Sequence, residues 1–190
     1  MDRIDKILAQ WHRERPDLDV APMGLIGRIG NLTHHLSREM GKTFAQFDLN
    51  GPAFDVLATL RRSGAPYTLS PNDLMATMMV TSGTMTNRID QLEKAGLVTR
   101  SPNPDDGRSF LVSLTENGFA LIDAAVTAHV ETQARLVSSL TEEEKTALDA
   151  LLGKYLAGFE MFAPEEKTTA VASNEMNSLS QGHSRMRATP

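Results

Sequence analysis

TSGTMTNRIDQLEKAGLVTRSPNPDDGRSFLVSLT, residues 81–115, is the stretch on which the fold turns. Thr81-Ser82 reads as a helix start, Met85, Ile89 and Leu92 fall on one helical face, and Gly96 is the stop. Leu97-Val98-Thr99-Arg100 and Ser109-Phe110-Leu111-Val112-Ser113-Leu114 read as short strands rich in apolar residues. The turn-forming run Ser101-Pro102-Asn103-Pro104-Asp105-Asp106-Gly107 joins them into a hairpin.

Just upstream, Ser70-Pro71-Asn72-Asp73 is a second strong start, with Ser70 as N-cap, proline at the first helical position and Asp73 completing the capping arrangement. The helix it opens runs from Leu74 to about Met79, and Tyr67-Thr68-Leu69 before it is short and extended. A helix of about two turns, a tight turn, a second helix and a hairpin are the order of a winged helix-turn-helix. The expected fold class is therefore mostly α, with a small β-hairpin wing, flanked by helices on both sides.

Those flanks are long and amphipathic. Leu25, Ile29, Leu32, Leu36, Met40, Phe44 and Phe47 recur at steps of four and three, predicting one helix over 22–47. Gly24, Gly27 and Gly30 inside it read either as close helix packing or as room for a ligand. Ile4, Ile7, Leu8 and Trp11 mark a short N-terminal helix ending at Arg15-Pro16-Asp17, and Asn50-Gly51-Pro52 opens a helix that Gly64-Ala65-Pro66 stops. Thr115 caps a helix with Phe119, Ile122, Val126, Val130, Gln133 and Val137 as its stripe. Thr141-Glu142-Glu143-Glu144 is a capping box for the last helix, with Leu148, Leu152, Tyr155, Phe159 and Phe162 at helical steps. The expected division is 1–50 N-terminal helices, 51–114 winged lobe, 115–163 C-terminal helices and 164–190 a disordered tail.

Composition narrows the function. The chain of 190 residues has no cysteine, which excludes disulfides, thiolate metal sites and cysteine nucleophiles and fits a cytoplasmic setting. It holds no run approaching the ~20 apolar residues of a membrane span. No phosphate-cradling glycine loop, nucleophile elbow or metal motif is present, so neither an enzyme nor a cofactor is expected. The adjacent pair His34 and His35 point about 100° apart and do not serve one pocket together. The net charge of -5 argues against bulk attraction to phosphate, yet its location matters. Residues 1–110 carry 13 basic and 13 acidic side chains, whereas 111–190 carry 6 and 11. Residues 61–110 hold 6 basic and 5 acidic groups, net +1.

With the apolar stripe of residues 81–95 inward, Ser82, Thr84, Asn87, Arg88 and Gln91 face outward. These are short or planar hydrogen-bonding groups suited to base edges and phosphates, and equally to a solvated helix face. The closing run Leu92-Glu93-Lys94-Ala95-Gly96-Leu97-Val98-Thr99-Arg100, the wing Asp106-Gly107-Arg108 and the run Val112-Ser113-Leu114-Thr115 together resemble the MarR family of bacterial transcription regulators over roughly residues 20–162. The resemblance implies a homodimer with interlocking terminal helices that binds double-stranded DNA at a pseudo-palindromic operator as a repressor. It makes Ser82, Thr84, Thr86, Asn87 and Arg88 candidates for DNA contact, with Gln91 beside them. Arg108 is a candidate for minor-groove contact or, paired with Asp106, for wing structure, because this wing has one arginine among two acids where many relatives carry two or three arginines.

Trp11, Arg15, the segment Arg15-Pro16-Asp17-Leu18-Asp19, Phe54-Asp55-Val56-Leu57 and Thr86-Asn87-Arg88 look like the branch of this family that includes urate-responsive repressors. In that branch a tryptophan, an aspartate and a recognition-helix arginine form the effector site. They match Trp11, Asp55 and Arg88, with Arg15 as a further ligand-binding candidate. Indole can stack on a planar anion, guanidinium can donate to it and carboxylate can accept from it. The effector implied is urate or a related purine, or another small aromatic anion such as a phenolic acid. Trp11 as a hydrophobic anchor, Asp55 as a charge near a helix N-terminus and Arg88 as a phosphate contact remain the alternatives. A winged helix serving protein–protein interaction is the rival from another class.

Overall fold

The computed structural model describes residues 2–78, 82–104 and 106–160, the side chains of 82, 107, 108 and 160 excepted. It divides into two compact units, Met1–Ser139 and Leu140–Pro190. In the first, α1 (Arg3–Glu14) starts at a capping box: Asp2 Oδ1 accepts from Asp5 N at 2.8 Å and Asp5 Oδ2 from Asp2 N at 2.8 Å. α1 packs on α2 (Ala21–Ala45) through the glycines. A Cβ at Gly24 would stand 2.9 Å from Leu8 Cδ1 and one at Gly27 3.2 Å from Ile4 Cδ1, whereas one at Gly30 meets nothing. Close packing is thus the role of the first two. Arg28 adds ion pairs to Asp2, at 2.9 Å, and to Asp5.

Asn50 caps α3 (Gly51–Arg62), its Oδ1 accepting from Ala53 N at 2.9 Å. α4 (Pro71–Met78) opens with the expected arrangement: Ser70 Oγ accepts from Asp73 N at 3.2 Å, and Asp73 Oδ2 accepts from Ser70 N at 3.3 Å. α5 (Ser82–Lys94) ends at Gly96, whose φ of +69° suits glycine. Thr81, placed in its start from the sequence, and Asp105 in the wing turn lie outside the described residues.

The wing is longer than expected and has a third strand. β1 (Thr68–Leu69), β2 (Val98–Asn103) and β3 (Asp106–Leu114) form an antiparallel sheet in the order β1-β3-β2. Thr68 pairs with Ser113 and Arg100 with Val112. The turn expected over 101–107 shrinks because Ser101, Pro102 and Asn103 pair with Leu111, Phe110 and Asp106. Pro102 is tolerated there because β2 is an edge strand and needs no donor on its outer side.

α6 (Glu116–Leu136) is capped by Thr115, whose Oγ1 accepts from Gly118 N at 2.9 Å and donates to Gly96 O at 2.8 Å. Its buried positions are Gly118, Ile122, Ala125 and Thr132. Val130 and Val137 of the expected stripe are exposed, and the side of α6 that enters the core carries Gly118, Ala125 and Thr132 beside Ile122. At the α2–α6 contact the buried Thr43 and Thr132 hydroxyls meet at 2.8 Å. Leu25 and Leu32, on the apolar face of α2, are 58% and 51% exposed. The core centres on residues 51–114, where Val56, Leu57, Leu60, Leu74, Met85, Ile89 and Val112 are fully enclosed, with Ile122 of α6 enclosed among them.

In the second unit, α7 (Glu142–Glu160) begins at the Thr141–Glu144 capping box, with backbone-to-side-chain bonds of 2.8 and 3.2 Å. Leu148, Leu152, Tyr155 and Phe159 form a stripe that is exposed throughout. Phe162 and the tail 164–190 lie outside the described residues.

Candidate nucleic-acid interface and effector cleft

α5 is held from below and presented above. Met85, Ile89 and Leu92 are buried, fixing the helix on the lobe, and Thr84, Thr86, Asn87 and Gln91 are exposed on the other side. Gln91 Nε2 lies 3.5 Å from Asn87 Oδ1, so two planar amides stand together on the outer face. Ser82 opens α5 and Arg108 belongs to β3, but their side chains, and with them the Arg108–Asp106 pairing, lie outside the described residues. The hairpin tip is pinned by Asn103 Nδ2 donating to Ser109 Oγ at 3.0 Å and by Ser109 Oγ donating to Asp106 O at 3.1 Å.

Arg88 departs from the simple outward face. It is half-buried and lines a cavity of ≈180 Å³ with Asn50, Pro52, Ala53, Gln91 and Leu92, in the crevice between the start of α3 and α5. Among the described residues its guanidinium makes no hydrogen bond and no ion pair. Asp55, one turn into α3, lines a neighbouring cavity of ≈220 Å³ with Ala58, Thr59, Arg62, Thr77 and Met78. Desolvation pushes its carboxyl above the usual aspartate value, and the positive fields of Arg88, His129 and Arg62 oppose that push. Arg88 and Asp55 thus sense each other through space without touching.

Trp11 and Arg15 are not brought to this pair within the chain. α1 packs on α2, Trp11 is 40% exposed, and Arg15 is occupied by Asp17, with Nε to Oδ1 at 2.8 Å and Nη2 to Oδ2 at 2.7 Å. That bidentate pair holds the Asp17 carboxyl below its ordinary value. Among the described residues, no hydrogen bond, ion pair or ring contact links Trp11 or Arg15 to Asp55 or Arg88.

Two features escaped the sequence reading. His129 lies against Phe54 and Phe44, ring centroids 4.9 and 5.2 Å away, with its Nδ1 buried and unpartnered. Burial lowers its pKa while the Asp55 charge raises it. The signal was available, because 118, 122, 125, 129 and 132 are themselves a helical stripe, disguised by glycine, alanine, histidine and threonine. The second is Arg100, which joins α5 to the wing: Nη1 donates to Glu93 Oε2 at 2.9 Å, Nη2 pairs with Asp90, and the guanidinium lies 4.8 Å over the Phe110 ring.

A three-stranded sheet behind a helix-turn-helix, with a polar outer face on the second helix, defines a winged-helix transcription regulator rather than an enzyme. The model of the MarR family matches residues 49–110. The chain is 45% identical to the HTH-type transcriptional regulator PecS of Dickeya dadantii over 151 residues, 80% of this chain and 91% of that protein. It is 29% identical to the multiple antibiotic resistance protein MarR of Escherichia coli over 133 residues, 67% and 90% of the two chains. A cysteine-to-serine mutant of E. coli MarR complexed with operator DNA superposes with a TM-score of 0.63 at 28% identity, covering 72% of this chain and 95% of that one. The Staphylococcus aureus MepR–DNA complex does so with a TM-score of 0.62 at 27% identity, covering 68% and 94%. The chain belongs to the MarR family, as its motifs implied.

Proposed function

We propose that this regulator is a homodimeric, DNA-binding repressor released from a pseudo-palindromic operator by a small aromatic anion, a purine such as urate or a phenolic compound. The observation that carries the DNA part is the outer face of α5: Thr84, Thr86, Asn87 and Gln91 are exposed hydrogen-bonding groups with no large hydrophobe among them. A protein-docking module would present aromatic anchors there. That relatives of this chain have been solved on DNA supports the same reading. Residues 51–114 act as the reading lobe, and the flanking helices act as the dimer-forming parts. Ile7, Trp11, Leu18, Met23, Leu25 and Ile26 are exposed on α1, α2 and their connection, an apolar surface of the kind a second copy covers.

The effector part rests on Arg88. It belongs to the reading helix yet sits in a crevice facing the field of Asp55, so an anion that binds its guanidinium competes with its DNA-side position. Effector and operator then oppose each other by linkage. Trp11 and Arg15 complete the site only if effector binding, or assembly of the dimer, brings them to the crevice. Because the lobe is barely basic, phosphate contacts are few and the salt slope is modest. A regulator of this kind acts in the cytoplasm, and no helix among the described residues is long and apolar enough to cross a membrane.

The test is gel-shift titration of the full chain on the intergenic DNA upstream of its own gene, across salt, with urate, xanthine, salicylate and hydroxycinnamates added. Absence of a sequence-specific shift at low salt defeats the regulator reading. Arg88→Ala weakens binding; Trp11→Ala leaves binding largely intact and blunts release, and a Trp11→Ala protein released at wild-type effector concentrations refutes the pocket.

A further inference from the structure

The reading helix carries two carboxylates that a DNA-facing element should not show. The charged side chains of α5 are Arg88, Asp90, Glu93 and Lys94, with no net positive charge. Asp90 and Glu93, three residues apart, lie on the edge of α5 turned toward the wing, next to the outer face. Both meet Arg100 of β2. Arg100 is held in place for this: its side chain is only 26% exposed, its guanidinium stacks on Phe110, and its Nε is buried without a hydrogen-bond partner. The two acids stay 43% and 38% exposed, so without Arg100 they would present their charge to solvent beside the reading face.

We propose that Arg100 is a charge-masking residue of the DNA interface, neutralising Asp90 and Glu93 so that α5 can approach the phosphates. This rests on the DNA-binding reading above. A guanidinium suits the task because its fork engages two carboxylates at once while its flat face packs on an aromatic ring. Masking and mere bracing differ in what they predict. If Arg100 only braces the wing against α5, removing its acidic partners loosens the joint and weakens binding. If it masks charge, removing the acids removes the need for it.

The experiment measures fluorescence-anisotropy affinities of the full chain for the upstream intergenic duplex at low and high salt. Arg100→Met is expected to weaken binding about tenfold at low salt, with the deficit shrinking as salt screens the freed carboxylates. Asp90→Asn with Glu93→Gln, keeping Arg100, binds at least as tightly as wild type. Adding those two changes to Arg100→Met restores affinity. Adding Glu116→Gln and Glu131→Gln instead, the same net charge placed on α6, does not. Weaker binding by the Asp90→Asn, Glu93→Gln protein, no rescue of Arg100→Met, or equal rescue by the α6 pair overturns the proposal. If Arg100→Met does not fold, the Asp90→Asn, Glu93→Gln protein decides alone. Failure of the wild-type protein to bind any segment of that DNA sinks the DNA-binding reading itself, and this inference with it.

Discussion

Gly118→Ala tests how the wing is joined to α6. The first turn of α6 lies so close to the residue after the α5 stop that a Cβ on Gly118 would stand 1.9 Å from Leu97 O and 2.8 Å from Leu97 C. Carbon and oxygen need roughly 3.3 Å at such a contact, so one backbone must move by more than an ångström. Neither segment can do so cheaply. Thr115 N donates to Leu97 O at 3.1 Å, Thr115 Oγ1 donates to Gly96 O at 2.8 Å, and the same hydroxyl caps Gly118 N at 2.9 Å. Losing the cap costs about 1 kcal/mol, and disturbing the two other bonds about 1 kcal/mol each. Overpacking strain adds about 1–3 kcal/mol. The expected loss is about 4–6 kcal/mol, which at 2–4 °C per kcal/mol for a chain of this size lowers Tm by about 8–24 °C. Calorimetry or a circular-dichroism melt reads this directly. Gly30→Ala is the matched control: its Cβ meets nothing, and alanine in a helix interior stabilises by about 1 kcal/mol. A Gly118→Ala protein melting within about 2 °C of wild type refutes the close-approach argument.

Asn50→Ala, which removes the α3 cap, should lower stability by about 1 kcal/mol in denaturant titration. The raised pKa of Asp55 means that the folded state binds a proton more readily than the unfolded chain, so stability from this group is present at low pH and declines as pH rises through the range above 3.8. Asp55→Asn should therefore raise Tm at neutral pH and leave it unchanged in acid below that range. The lowered pKa of His129 has the opposite sense, because the unfolded chain takes the proton first and stability falls as pH drops below 6.5. His129→Phe should flatten that loss, since it also removes the orphaned Nδ1 from between Phe44 and Phe54. A pH–Tm profile unchanged in both variants would show that these two groups carry no linkage.

Much of this molecule is legible in one chain of letters because helix ends are local chemistry. Asn50, Ser70-Pro71, Thr115 and the Thr141–Glu144 box each bond the backbone within three residues, so the boundaries of α3, α4, α6 and α7 follow from neighbours alone. The same holds for Gly96, where a positive φ ends α5. Periodicity likewise placed Met85, Ile89 and Leu92 inside and Thr84, Asn87 and Gln91 outside.

Tertiary structure decided what periodicity does not measure, namely what stands opposite each face. An apolar stripe identifies a face that avoids water but not its partner, so the sequence places Leu25, Leu32, Val130 and Val137 on apolar faces without saying that the single chain leaves them exposed. The side of α6 that enters the core carries Gly118, Ala125, His129 and Thr132 beside Ile122, and at Gly118 the approach of Leu97 leaves no room for a side chain. Arg88 read both as an outward contact and as a partner of Asp55, and the start of α3 walls it into a crevice where the Asp55 charge acts on it only through space. Arg100 read as the last letter of a motif, and only the fold sets it against Asp90 and Glu93. The sequence by itself determined the order and ends of the elements, through bonds spanning a few residues. The tertiary structure alone decided which charges face one another, because electrostatic pairing acts across space between residues far apart in the chain.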